Sequence, residues 1–453
     1  MLLALLLAAD AALQPFIKID APATVLEHVR VIDGTGAPPR EDQALVIAGG
    51  KISAGPAPAG AQRLDLTGRT VFPGLVGMHD HLFYPAGGGI FHEMARSFPR
   101  LYLAAGVTTI RTGGSIEPYT DLELKKEIDS GKQPGPKMHI TGPYLEGAGS
   151  FAVQMHALRG PDDARRTVDF WADLGATSFK AYNFLTRAEL GAAIDAAHKR
   201  GLKVTAHLCS IGFSEAAQLG IDNLEHGLVV NTEFASGKKP DQCPSPIKAV
   251  EELSQMSASD PRLAALIAEL VKRRVALTST LAVFDAFTEQ GFRKALRPAV
   301  LDALSTETRA RLLSNHLTGR DPALWVSLMK LEMQFERAFA QAGGLLMSGA
   351  DPTGNGAVLA GYGDQRGVEL LVDAGFTPLE ALRIASFNGA VLLGAQDRIG
   401  SIAPGKDADL VVVKGDPSKN VADIENVELV FKDGVGYDPA KLLESVRGTV
   451  GLR

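Results

Sequence analysis

Val71-Phe-Pro-Gly-Leu-Val-Gly-Met-His79-Asp-His81-Leu82 decides how the rest of this sequence is read. The run Val71–Met78 is apolar and glycine-rich, has the length of a buried strand, and ends in His-x-His. Alternate residues of a strand point to one face, so the imidazoles of His79 and His81 leave the strand end side by side. Two imidazoles converging at a buried strand end suit a divalent metal ion. A His-x-His pair also arises in surface loops by accident, so the other ligands must decide its meaning.

Outward from that strand, residues 74–393 keep one rhythm: a helix ends at a glycine, a short apolar strand follows, and a polar residue closes it. The helix before Gly106 leads to Val107–Arg111, and Met138–Thr141 supplies the next strand. The helix Asp162–Leu174 ends at Gly175 and leads to Thr177–Lys180. The helix Arg187–Arg200 opens on a Thr186-x-x-Glu189 capping box, ends at Gly201 and leads to Lys203–His207. Ser214–Leu219 leads through Gly220 to Ile221–His226, and the last two strands are Val275–Thr280 and Leu345–Asp351. Eight strands alternating with helices predict an α/β fold, a parallel (β/α)8 TIM barrel. Function in such barrels sits at the C-terminal strand ends, which here carry His79, His81, Lys180, His207, His226 and Asp351.

Residues 24–73 and 394–453 have a different texture, with short β-like runs between Gly/Pro turns. Neither segment is long enough for its own core, so the two are expected to pair into one small split β-sandwich beside the barrel. Two long connections, 227–262 and 281–335, follow the sixth and seventh strands and should lie over the active face. They read as a cap that shapes a substrate site or as packing insertions. Net charge is −6 without a basic stripe, which makes nucleic acid and anionic membrane surfaces poor partners. Residues 1–23 read as a signal-peptide remnant or an apolar N-terminal helix, with export slightly favoured. The apolar run Met1–Ala12 is too short to span a bilayer. The two cysteines, Cys209 and Cys243, exclude a Cys-rich zinc module and read as either a disulfide or two thiols.

His207 and His226 end consecutive strands 19 residues apart and bring two more imidazoles to the same rim. Asp351, before Pro352, can act there as metal ligand and proton shuttle. Lys180 is costly at an apolar strand end unless paired or modified. Beside four histidines, reaction with CO2 would turn it into a carbamate, an anionic bridge between two metal ions.

The set His79-x-His81, Lys180, His207, His226 and Asp351 resembles the amidohydrolase superfamily. So do the strand Val71–His81 and the tail Leu393-Gly-Ala-Gln-Asp-Arg-Ile-Gly-Ser-Ile-Ala-Pro-Gly-Lys-Asp-Ala-Asp-Leu-Val-Val-Val413. The resemblance implies a binuclear centre of zinc, or of manganese or cobalt. His79, His81 and Asp351 would hold the buried ion and His207 and His226 the exposed one, with carboxylated Lys180 and a hydroxide between them. It further implies that Asp351 takes the proton of the attacking hydroxide and passes it to the leaving amine. The short His207–His226 spacing and the Phe-Lys-Ala stretch look most like the prolidase-like, imidazolonepropionase-related branch, which acts on dipeptides and N-acyl amino acids. The absence of His-x-x-Glu after His207 counts against deamination.

The expected activity is hydrolysis of the amide bond of a small substrate by a homo-oligomeric enzyme. Hydrolysis of a lactone, carbamate or phosphotriester on the same site is an alternative, and a non-catalytic binding protein is one of another class. Tyr144, Tyr182 and His156 are candidates for substrate contact or for loop packing. Arg111 reads as an internal salt-bridge partner as readily as a site residue. His28, His92, His139, His198 and His316 read as structural or surface groups.

Overall fold

The computed structural model describes residues 11–87, 89–150, 152–315, 321–353 and 358–451. Nearly all of the Met1–Ala12 run, and His316, lie outside them. The apolar run around Gly74, expected as one strand, is divided between two sheets. Arg69–Pro73 pairs antiparallel with Leu410–Lys414, whereas Leu75–Asp80 (β1) begins a parallel sheet. A Cβ on Gly74 would meet Thr108 Oγ1 at 1.9 Å, so only glycine allows the chain to pass this close to the neighbouring strand.

After β1 come Val107–Thr112 (β2), Lys137–His139 (β3), Ser178–Ala181 (β4), Lys203–Ala206 (β5), Asn223–Glu225 (β6), Ala276–Ser279 (β7) and Leu346–Ser348 (β8). All are parallel to their partners, in two hydrogen-bonded sheets ordered β3-β2-β1 and β4-β5-β6-β7-β8. The sheets meet at two seams. At one, Thr141 bridges Ser178 in parallel register, with their hydroxyls 2.8 Å apart. At the other, the Asp351 N–H donates to the His79 carbonyl at 2.8 Å. The expected helices appear between strands, including Arg187–Lys199 with its Thr186/Glu189 capping box. These parallel strands and their covering helices bury one large apolar core.

The two ends of the chain do pair, but as one mixed sheet of nine strands rather than two separate sheets. The cause is Ala23–Val31, which hydrogen-bonds to Arg40–Ala48, Gln62–Asp65 and Arg69–Pro73 and so ties all of them together. Leu26, Val29, Val71, Leu410, Val412 and Phe431 give this sheet its own core. Lys137, at the start of β3, docks on it through Asp409 and Asp433, each at 2.7 Å, and Asp407 at 2.9 Å.

The long connections contain helices, among them Leu281–Asp285 and most of Pro322–Gln341. Cys209, two residues past His207, forms a disulfide with Cys243 of the 227–262 connection. A hairpin, Phe83–Gly87 with Ile90–Glu93, follows β1. Among the described residues no helix is long and apolar enough to cross a membrane.

Candidate metal centre

His79 is the penultimate residue of β1, β4 carries Lys180, and His81, His207 and His226 directly follow β1, β5 and β6. Asp351 lies three residues beyond β8. All six line one cavity of 390 Å³. The His81 Nε2 and Asp351 Oδ1 atoms are 3.1 Å apart, and His79 Nε2 lies 3.7 Å from the same oxygen. His79, His81 and Asp351 offer ligand atoms that all fall within 4.8 Å of one another. His207 and His226 lie outside that group but in the same cavity, with ring centroids 4.7 Å apart and the His226 ring 4.4 Å from that of His79. Lys180 is buried, and its Nζ is 2.9 Å from His79 Nε2.

The backbone is bent to achieve this convergence. His226 has φ of 66° and Asp351 of 51°, left-handed conformations that side chains other than glycine adopt at a cost. The chain before Asp351 runs against His79: a Cβ on Gly349 would lie 2.3 Å from the His79 nitrogen.

Burial lowers the pKa of His81 to about 4, against the opposing effect of Asp351. Burial, aided by the Lys180 charge, lowers His207 to about 3. Burial likewise depresses His79, with Lys180 adding to it, and His226, with His79 and His207 adding to it. The four imidazoles are neutral at pH 7, the form that ligates a metal ion. Burial pushes Asp351 toward the acid form, but His79 and the hydrogen bond from His81 outweigh it and keep the carboxylate ionised. Lys180 falls to about 8 through burial, opposed by the Glu225 and Asp351 carboxylates. Four neutral imidazoles around a buried carboxylate form a donor set for divalent ions, and the buried Nδ1 atoms of His81 and His207 have no hydrogen-bond partner among the described residues.

Glu225, which the sequence reading passed over, anchors the centre from below. It is fully buried, with Oε2 2.8 Å from His79 Nδ1 and Oε1 2.5 Å from Arg111 Nη2, and it accepts a hydrogen bond from Thr205 Oγ1. Burial opposes its ionisation, but Arg111 and then His79 hold its pKa well below the usual carboxylate range. The one available signal was an acid between Leu224 and His226 in an apolar strand. Arg111 has the salt-bridge role, and its Nε also donates to the Met78 carbonyl at 2.8 Å.

Tyr144 and Tyr182 line the cavity, their rings 4.9 Å apart, each with Lys180 Nζ 5.9 Å from its centroid. His156 does not reach it: the imidazole is exposed, with Nε2 3.1 Å from Asp163 Oδ2, and its neighbour Met155 faces the cavity instead. The rest of the wall is apolar apart from Thr353. Phe83, Pro85 and Phe91 come from the unforeseen hairpin, Val230 from the first long connection, and Val283, Phe284 and Phe287 from the second.

A profile of the amidohydrolase family matches residues 348–436. Uncharacterised proteins of Mycobacterium bovis and Mycobacterium tuberculosis are 32% identical over 214 residues, which cover 44% of this chain and 55% of theirs. The chain thus spans about half the length of these curated relatives. A Bifidobacterium longum protein described as a candidate prolidase superposes with a TM-score of 0.70 at 26% identity, covering 94% of this chain and 98% of its own. A Xaa-Pro dipeptidase with methionine bound in its active site gives a TM-score of 0.69 at 21% identity, over 92% of this chain and 100% of its own, a likeness of fold alone.

Proposed function

The chain belongs to the amidohydrolase superfamily, and on that premise we propose that it is a metal-dependent hydrolase of C–N amide bonds in small substrates such as dipeptides or N-acyl amino acids. The observation that carries this reading is the convergence of His79, His81, Lys180, His207, His226 and Asp351, from five strand ends, on one cavity. The eight parallel strands are then one closed (β/α)8 barrel of residues 74–393. The terminal segments 24–73 and 394–453 form its companion unit, a sheet folded into a small sandwich.

In this reading His79, His81 and Asp351 would hold one divalent ion. His207 and His226 would hold a second, with carboxylated Lys180 as a further ligand. Zinc is the first candidate, with manganese and cobalt as alternatives. Such ions would lower the pKa of water and polarise a substrate carbonyl. Lowered to about 8, Lys180 keeps a fraction of neutral amine at pH 7, the form that attacks CO2 and releases a proton to become the carbamate. Asp351 accepts the proton released during hydrolysis and returns it to the departing nitrogen. The Tyr144 and Tyr182 hydroxyls hydrogen-bond the substrate carbonyl. The Cys209–Cys243 disulfide supports an exported protein, and we expect a homo-oligomer.

The test is metal analysis of purified protein followed by a dipeptide and N-acyl amino acid screen with zinc, manganese or cobalt. Bound metal and amide turnover that Asp351→Asn abolishes are expected. Ester or phosphotriester turnover without amide turnover would replace this reading with the alternative hydrolase. Absence of bound metal in fresh protein would leave a binding protein on this fold.

A further inference from the structure

The cavity has two aromatic walls that meet the imidazole group at different members. Phe83 packs on His81 with ring centroids 4.5 Å apart, and Phe91 packs on Phe83 at 5.3 Å. This wall comes from the hairpin after β1 and is extended by Ile116 and Met155. On the other side Phe284 lies 6.0 Å from the His226 ring. It is stacked at 13° on Trp325 of the helix Pro322–Gln341, which also braces Phe287 at 4.6 Å. Asp285 next to Phe284 pairs with Arg366 Nε at 3.0 Å, which fixes this part of the second long connection to the helix Tyr362–Asp373. The second wall is therefore held from behind, and both walls line the cavity that holds the candidate metal ligands.

From this arrangement we infer that the substrate carries a bulky apolar group, aromatic by preference, on each side of its scissile bond. Phe83 and Phe91 select one group, and Phe284 and Phe287 select the other. The inference rests on the hydrolase reading for the position of that bond. A polar or charged side chain placed against either wall would lose its water without gaining a hydrogen bond, whereas an apolar ring gains burial and aromatic contact. A cavity of 390 Å³ fits a substrate of dipeptide size rather than a polymer segment.

The experiment uses the full metal-loaded chain and four substrates: N-acetylglycine, N-acetylphenylalanine, N-phenylacetylglycine and N-phenylacetylphenylalanine. Each added ring should raise kcat/KM by about 10–100-fold. Phe284→Leu and Phe91→Ala should each reduce the gain from one ring and not the other, by about 10-fold. Calorimetric binding of the uncharged amide of N-phenylacetylphenylalanine to the same proteins gives a readout independent of turnover. Turnover indifferent to the rings, or variants that slow all four substrates equally, overturns the inference while the hydrolase reading stands. Ring-dependent binding weakened by both variants, without turnover of any substrate, retains the two apolar subsites and overturns the hydrolase reading. Neither binding nor turnover overturns both.

Discussion

Glu225→Gln should weaken the metal centre more than its place outside the cavity lining suggests. The carboxylate is wholly buried and serves three donors at once: His79 Nδ1 at 2.8 Å, Arg111 Nη2 at 2.5 Å and the Thr205 hydroxyl. Because Nδ1 donates to Glu225, His79 is held in the tautomer that leaves Nε2 free of a proton and turned toward Asp351 and Lys180. Glutamine preserves volume and one acceptor oxygen but removes the charge. Arg111 then keeps its hydrogen bond to the Met78 carbonyl, and a buried guanidinium without its counter-charge costs about 3–5 kcal/mol. The lower end applies, since glutamine still accepts one hydrogen bond. Loss of a carboxylate behind a ligating histidine costs about 10–100-fold in metal affinity. The assay is competition with a chelator followed by elemental analysis, alongside the thermal unfolding of metal-free protein. Arg111→Met is the control: it breaks the same ion pair but leaves the carboxylate on His79, so it should lower stability and keep the metal. Glu225→Gln that melts earlier yet holds metal as tightly as the parent chain would refute the positioning argument and leave Glu225 a structural ion pair.

Legibility of this chain in its sequence followed the range of the interactions. Helix–glycine–strand alternation is local, and the order of the eight parallel strands and the ends on which the candidate metal ligands sit follow from it. The division at Gly74 was not legible, because the apolar run continues through it and only the approach of Thr108 shows why the strand must break. Glu225 was missed for the same kind of reason. Its partners lie on β1, β2 and β5, and in sequence it is one acid in an apolar strand. The joining of both chain ends was legible from their shared texture, but the register that makes one sheet of them depends on Ala23–Val31 serving three neighbours. His156 and Met155 exchange places through a short turn, Met155 N–H to Ala152 O at 3.2 Å, which no side-chain pattern announces. The hairpin carrying Phe83 and Phe91 was hidden because the stretch Pro85-Ala-Gly-Gly-Gly89 reads as plain loop in the sequence.

Three further outcomes are expected. Lys180→Ala should remove one of the two proposed metal ions and cut turnover by more than about 100-fold, with short-chain carboxylates partly restoring it; full turnover with two ions retained, by elemental analysis, would exclude the carbamate. Lys137→Met leaves Asp407, Asp409 and Asp433 without their shared cation where β3 meets the terminal sheet, and should lower stability by about 3 kcal/mol in a denaturant titration. Asp121→Asn should flatten the dependence of stability on pH. Asp121 is buried beside Glu93; burial raises its pKa to about 7 and raises that of Glu93 as well, with nearby Asp121 and Glu117 adding to the latter. A carboxyl that ionises near 4 in the unfolded chain and near 7 in the folded one makes the folded state bind the extra proton between those values. Its contribution is fully present below pH 4 and is lost as pH rises to 7, at up to about 1.4 kcal/mol per pH unit. Melting temperatures taken from pH 5 to 8 should therefore fall more steeply in the parent chain than in Asp121→Asn; parallel curves would mean that the pair shares no proton and that both carboxylates are already charged in the folded protein.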